Sequence, residues 1–100
     1  MKNLNSSLGE LRQQINDIDQ EILQKIAQRF AIVKKVGALK KGLNKEIFDS
    51  EREIELATLH QKISKKVAID PKLAQAVFTL IIEESRKMQK GQLTIQAVFL

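Results

Sequence analysis

One hundred residues with 43% apolar content suffice for one domain with a modest core, and a single domain is expected. With no cysteine and a lone histidine, His60, the chain can build neither a disulfide nor an ordinary zinc centre, so it reads as metal-free. The formal charge of +5, from 17 basic and 12 acidic residues, favours an anionic partner without naming it, because lysines and arginines spread along helices commonly form only a solvated face.

The opening stretch, MKNLNSSLGELRQQ, lacks the apolar run of a signal peptide. No later segment approaches the roughly 20 apolar residues of a membrane span, so a cytoplasmic protein is expected. From Leu8 onward, Leu11, Ile15, Ile18, Ile22, Ile26, Phe30, Val33 and Val36 recur every three or four residues, the rhythm of an amphipathic helix. Ser7 with Glu10 fits a capping box at its start, and Gly42 is the expected stop after Lys41. Gly37 lies inside the pattern at a cost of about 1 kcal/mol relative to Ala, which points to close packing there.

The polar linker GLNKEIF leads to a second helix, with Asp49 or Ser50 as N-cap and Glu53 completing a capping box from Ser50. That helix carries Ile54, Leu56, Leu59 and Ile63, presents His60 as an exposed residue, and fades around SKKVAI. Asp70 followed by Pro71 is a cap with proline in the first turn and starts a third helix, bearing Leu73, Val77, Phe78, Leu80, Ile81 and Met88, which should stop before Gly91. The expected organisation is one helical domain over 1–91 and an apolar, β-prone tail over 92–100, read as a terminus docked on the surface. The fold class is all-α, with three helices per chain and a very long first helix.

A helix from Ser7 to Lys41 would be about 50 Å long, whereas a compact 100-residue globule is roughly 35 Å across. Its apolar stripe runs nearly the full length, so part of it needs cover from another chain. Two-fold pairing is the commonest solution, and an intertwined homodimer with antiparallel first helices is expected. Arg29 and Lys40 are eleven residues apart, within about 20° of one face and about 16 Å along the axis, with Val33 and Val36 between them. Together they make a cationic wall suited to a small anion. Arg12 is roughly 25 Å from Arg29 along the axis and about 100° around it, so it reaches the same ligand only from an antiparallel partner.

Arg12, Arg29, Lys40, then D-x-x-R-E at Asp49, Arg52 and Glu53, then Ser85 and Gln89 in IIEESRKMQ, stand in an order and spacing that resembles the all-helical chorismate mutases over about residues 8 to 90. The resemblance implies the Claisen rearrangement of chorismate to prephenate in an entwined homodimer, with no cofactor and no metal. It implies that Arg12 of the partner chain and Arg29 hold the two carboxylates and that Arg52 supports the anionic site. Lys40 and Gln89 would face the ether oxygen, and Glu53 would accept from the ring hydroxyl. Asp49 and Ser85 would add polar contacts, with Val36 and Ile82 as apolar walls.

Singly, each residue has a plainer reading. Arg12 and Arg29 could pair with Asp19 or Glu21 on the helix surface, Lys40 could favour a helix C-terminus, and the acids of the second helix could be capping groups. Joint spacing, not any one residue, carries the resemblance. The alternatives are an isochorismate pyruvate lyase on the same scaffold, against which Glu53 speaks, an amino-chorismate mutase, and a basic helical binding module. Nucleic acid is disfavoured as a partner because the chain has no Trp or Tyr for base stacking and no short recognition helix.

Overall fold

The helical periodicity becomes three helices in the computed structural model, which describes residues 3–90; the expected tail at 92–100 lies outside the described residues. They are α1 (Leu4–Gly42), α2 (Ser50–Lys66) and α3 (Pro71–Lys90). The chain divides into two units, Met1–Ala31 and Ile32–Leu100. The first holds the greater part of α1. The second holds the last turns of α1 with α2 and α3, which pack against each other.

The helix ends differ from the sequence expectation in instructive ways. α1 begins three residues before Ser7, because Asn3 serves as the cap: its Oδ1 accepts from Ser6 N at 2.7 Å, and its carbonyl from Ser7 N at 3.1 Å. At the other end Gly42 is still helical. The chain turns at Asn44, whose φ of 57° is left-handed, while Asn44 N donates to Lys41 O and Lys45 N donates to Lys40 O at 2.8 Å. That hydrogen-bond pair is a Schellman stop built on asparagine rather than on the glycine.

α2 ends the same way. Ala68 has φ 61°, with Ala68 N to Lys65 O at 3.3 Å and Ile69 N to Ser64 O at 2.8 Å. An alanine held there costs about 1 kcal/mol because its Cβ crowds the backbone. At the start of α2, Asp49 is the cap and accepts from Arg52 N at 3.0 Å. The expected box from Ser50 to Glu53 does not form, since the Glu53 carboxylate is drawn away to α3. α3 starts as expected on Asp70, whose Oδ1 accepts from Lys72 N at 2.9 Å, with Pro71 in the first turn.

Very little apolar surface is fully covered. Among the described hydrophobic residues only Ile81, at 9% exposure, is buried. On the first unit Leu8, Leu11, Ile15, Ile18 and Ile22 form a stripe at helical spacing and are all about half exposed. Among the described residues Ser64 and Ser85 are the buried polar ones; Ser64 Oγ donates to Gln61 O at 2.8 Å and Ser85 Oγ to Ile81 O at 2.7 Å, so both hydroxyls are satisfied within their own helices. His60 is half-buried rather than exposed. Its ring stacks on Phe78 of α3 at 3.7 Å between centroids, an interplanar angle of 22°.

Candidate active site

Two of the polar residues singled out in the sequence, Lys40 and Gln89, meet where the end of α1 approaches α3. Gly37 makes that approach easy: a Cβ built on it would stand 3.0 Å from Gln89 Cα, tighter than nearly all real Cβ contacts, so the neighbour would have to give by a few tenths of an ångström. One helical turn further, Lys40 Nζ donates to Gln89 Oε1 at 3.1 Å and to the Ile47 carbonyl at 2.9 Å. A half-buried ammonium is thereby fixed between α3 and the linker, with its amide neighbour 49 residues away in sequence. An ammonium has three donors, so a third remains for a ligand.

The second cluster lies between α2 and α3. Arg86 forks onto Glu53: Nε donates to Oε2 at 2.9 Å and Nη2 donates to Oε1, while the guanidinium lies 4.8 Å from the centroid of the Phe48 ring. The Arg86 guanidinium has its pKa raised, first by the hydrogen bond to Glu53, with burial opposing and the charges of Glu53 and Glu83 adding. It remains cationic at any working pH. Glu53, Ile82 and Arg86 line a cavity of about 650 Å³, together with Ile54, His60 and Lys72 among others.

The remaining predicted residues are less gathered. Asp49 is occupied as the cap of α2. Arg52 is exposed and donates from Nη1 to Glu55 Oε2 at 3.3 Å, along its own helix. Ser85 is 4% exposed, one position before Arg86. Val36 is exposed near the end of α1. Lys40 and Gln89 do not line the α2–α3 cavity. Arg12 and Arg29 belong to the first unit, where Arg12 is exposed and Arg29 half-buried.

Arg86 has no place in the motif read from the sequence. Its signal was available: Ile82, Arg86 and Gln89 follow at intervals of four and three, so they share one face of α3.

The chain therefore offers two held cations, Lys40 and Arg86, the Gln89 amide and the Glu53 carboxylate, and among the described residues no group of histidine and carboxylate side chains could hold a metal. Comparison with known proteins decides what this set belongs to. The family model described as chorismate mutase type II matches residues 11–90. The chain belongs to that family. Type II chorismate mutases are all-helical enzymes of the isomerase class, and the three helices seen here accord with that.

Curated relatives agree. A chorismate mutase from Methanocaldococcus jannaschii is 34% identical over 86 residues, which are 86% of this chain and 87% of that protein. A bifunctional chorismate mutase/prephenate dehydratase from Buchnera aphidicola subsp. Acyrthosiphon pisum is 36% identical over 86% of this chain, and a T-protein from Enterobacter agglomerans is 29% identical over 80% of it. Of those two longer proteins the chain spans only 22% and 21% of the length. No described helix is long and apolar enough to cross a membrane.

Proposed function

We propose that this chorismate mutase family member rearranges chorismate to prephenate, in a homodimer whose two sites each combine residues of both chains. The observation that carries the reading is the Lys40–Gln89 pair, 3.1 Å apart on helices held together at Gly37, in a chain whose family match spans both positions.

The rearrangement needs no nucleophile and no proton transfer. It needs the flexible enolpyruvyl side chain folded over the ring with the reacting carbons close, which is catalysis by orientation. Arginine forks suit the two carboxylates, since each can give two parallel hydrogen bonds. Arg29 and the partner's Arg12 are assigned to them, with Arg52 adding positive charge nearby.

As the carbon–oxygen bond breaks, negative charge grows on the ether oxygen. A donor already aimed there stabilises the transition state more than the substrate. Lys40 has a spare N–H for that role, and Gln89, accepting from Lys40 through Oε1, keeps its amide N–H₂ free to donate. Glu53 takes the ring hydroxyl, Ser85 and Asp49 support the polar rim, and Val36 and Ile82 supply apolar walls.

The dimer is supported by the uncovered stripe from Leu8 to Ile22 and by the small buried core. Covering one such side chain fully is worth about 1.5–3 kcal/mol. A second copy offers an identical stripe and brings Arg12 with it.

The test is turnover. Purified protein mixed with chorismate should consume its absorbance and yield prephenate at micromolar enzyme or below. No turnover would contradict the reading, and release of pyruvate from isochorismate in its place would favour the lyase.

A further inference from the structure

Among the described residues, Arg86 is a strongly engaged cation that the functional assignment leaves unused. It connects three pieces of the second unit: α3, which carries it; α2, through the two-point fork on Glu53; and the linker, through the Phe48 ring under its guanidinium. We propose that Arg86 is a positioning residue that presents the Glu53 carboxylate to the substrate's ring hydroxyl. The proposal deepens the mutase reading and rests on its assignment of Glu53.

The geometry leaves the carboxylate usable. A carboxylate has about four lone-pair sites, and the Arg86 fork takes one on each oxygen, so each oxygen keeps one for a hydroxyl donor. Glu53 remains 26% accessible at its side chain and faces the cavity that Ile82 also lines. A glutamate near a helix start, with three rotatable bonds, would otherwise turn back to the free backbone N–H groups of its own first turn. Arg86 holds it across the groove instead. The Arg86 guanidinium has a second contact, 4.8 Å from the Phe48 ring centroid, which limits how the fork can swing.

Two other roles for Arg86 make different predictions. A plain strut between α2 and α3 would affect all substrates alike through stability. A direct carboxylate ligand would also affect every substrate that keeps its carboxylates. Only the positioning role depends on the hydroxyl.

The experiment compares Arg86→Met and Arg86→Lys in the full chain, using chorismate and an analogue in which the ring hydroxyl is replaced by hydrogen. Arg86→Met should lower kcat/KM for chorismate at least about tenfold while leaving the analogue within about twofold. Arg86→Lys keeps the charge over Phe48 but can hold only one oxygen at a time, and it should fall between. In a Glu53→Gln background, Arg86→Met should add less than about twofold. Equal losses on both substrates, or a full additional loss in the Glu53→Gln background, would overturn the positioning role while leaving the mutase reading standing. If Arg86→Met does not fold, Arg86→Lys carries the test, and an unchanged ratio between the two substrates overturns the proposal. An unmutated protein that turns over neither compound would overturn the mutase reading, and this inference with it.

Discussion

Gly37 and Gln89 approach so closely that a methyl group on residue 37 would lie 3.0 Å from Gln89 Cα and 3.2 Å from its Cβ and Cγ. The nearest obstructing atom is backbone, so the α3 backbone at Gln89 must give by a few tenths of an ångström to admit a side chain. Helix propensity favours Ala over Gly by about 1 kcal/mol, while overpacking at a rigid contact costs about 1–3 kcal/mol. The second effect should win. Gly37→Ala is expected to lower the thermal midpoint slightly and to cut kcat about tenfold by moving Gln89 away from Lys40, with little change in helical content by circular dichroism.

Lys40 bonds the Ile47 carbonyl and Gln89 Oε1, and it is the donor proposed for the ether oxygen. Lys40→Met keeps the apolar stem and removes the donors. Stability should fall by about 1 kcal/mol, the usual net worth of one hydrogen bond. The rate should fall much further, by roughly a hundredfold or more in kcat, as for loss of a donor to developing charge. Chemical denaturation and steady-state kinetics on the same preparation separate the two effects.

Asp49 caps α2 through its bond from Arg52 N. Asp49→Asn preserves an acceptor oxygen and should stay within a few tenths of a kcal/mol, whereas Asp49→Ala should lose about 1 kcal/mol. If Asp49 also makes a charged contact near the substrate, the Asn variant will lose activity while keeping its stability, and denaturant midpoints beside kcat/KM values will show it.

Ala68 holds a left-handed conformation at the end of α2, with φ 61°. Relief of its Cβ strain in Ala68→Gly outweighs the added freedom of the unfolded chain. The variant should gain up to about 1 kcal/mol and raise the melting temperature by a few degrees without altering kinetics.

What the sequence could disclose was set by the range of each interaction. The apolar rhythm from Leu8 to Val36 is local and repeats many times, so α1 was legible, as was the Asp70–Pro71 start of α3. The stops were harder to read. They depend on which residue turns left-handed: after α1 it is Asn44 although Gly42 stands two residues earlier, and after α2 it is Ala68. Gly37 signalled close packing but not its partner, because Gln89 lies on another helix. The Glu53–Arg86 fork spans 33 residues, and neither partner carries a mark of the other in the chain. Likewise the stacking of His60 on Phe78 needs two helices already in register. For the candidate site, Lys40 and Gln89 are in contact, whereas Asp49 and Arg52 have found partners on their own helix.

The central claim is that Arg29 of one chain and Arg12 of the other serve a single doubly charged substrate. Arg12→Ala and Arg29→Ala proteins should each be nearly inactive, and co-refolding equal amounts should make about half of the dimers mixed, each with one complete site. Recovery of about a quarter of the unmutated activity is the predicted result. Confirmed mixed dimers with no recovery, or an Arg12→Ala protein that is fully active alone, would contradict the account.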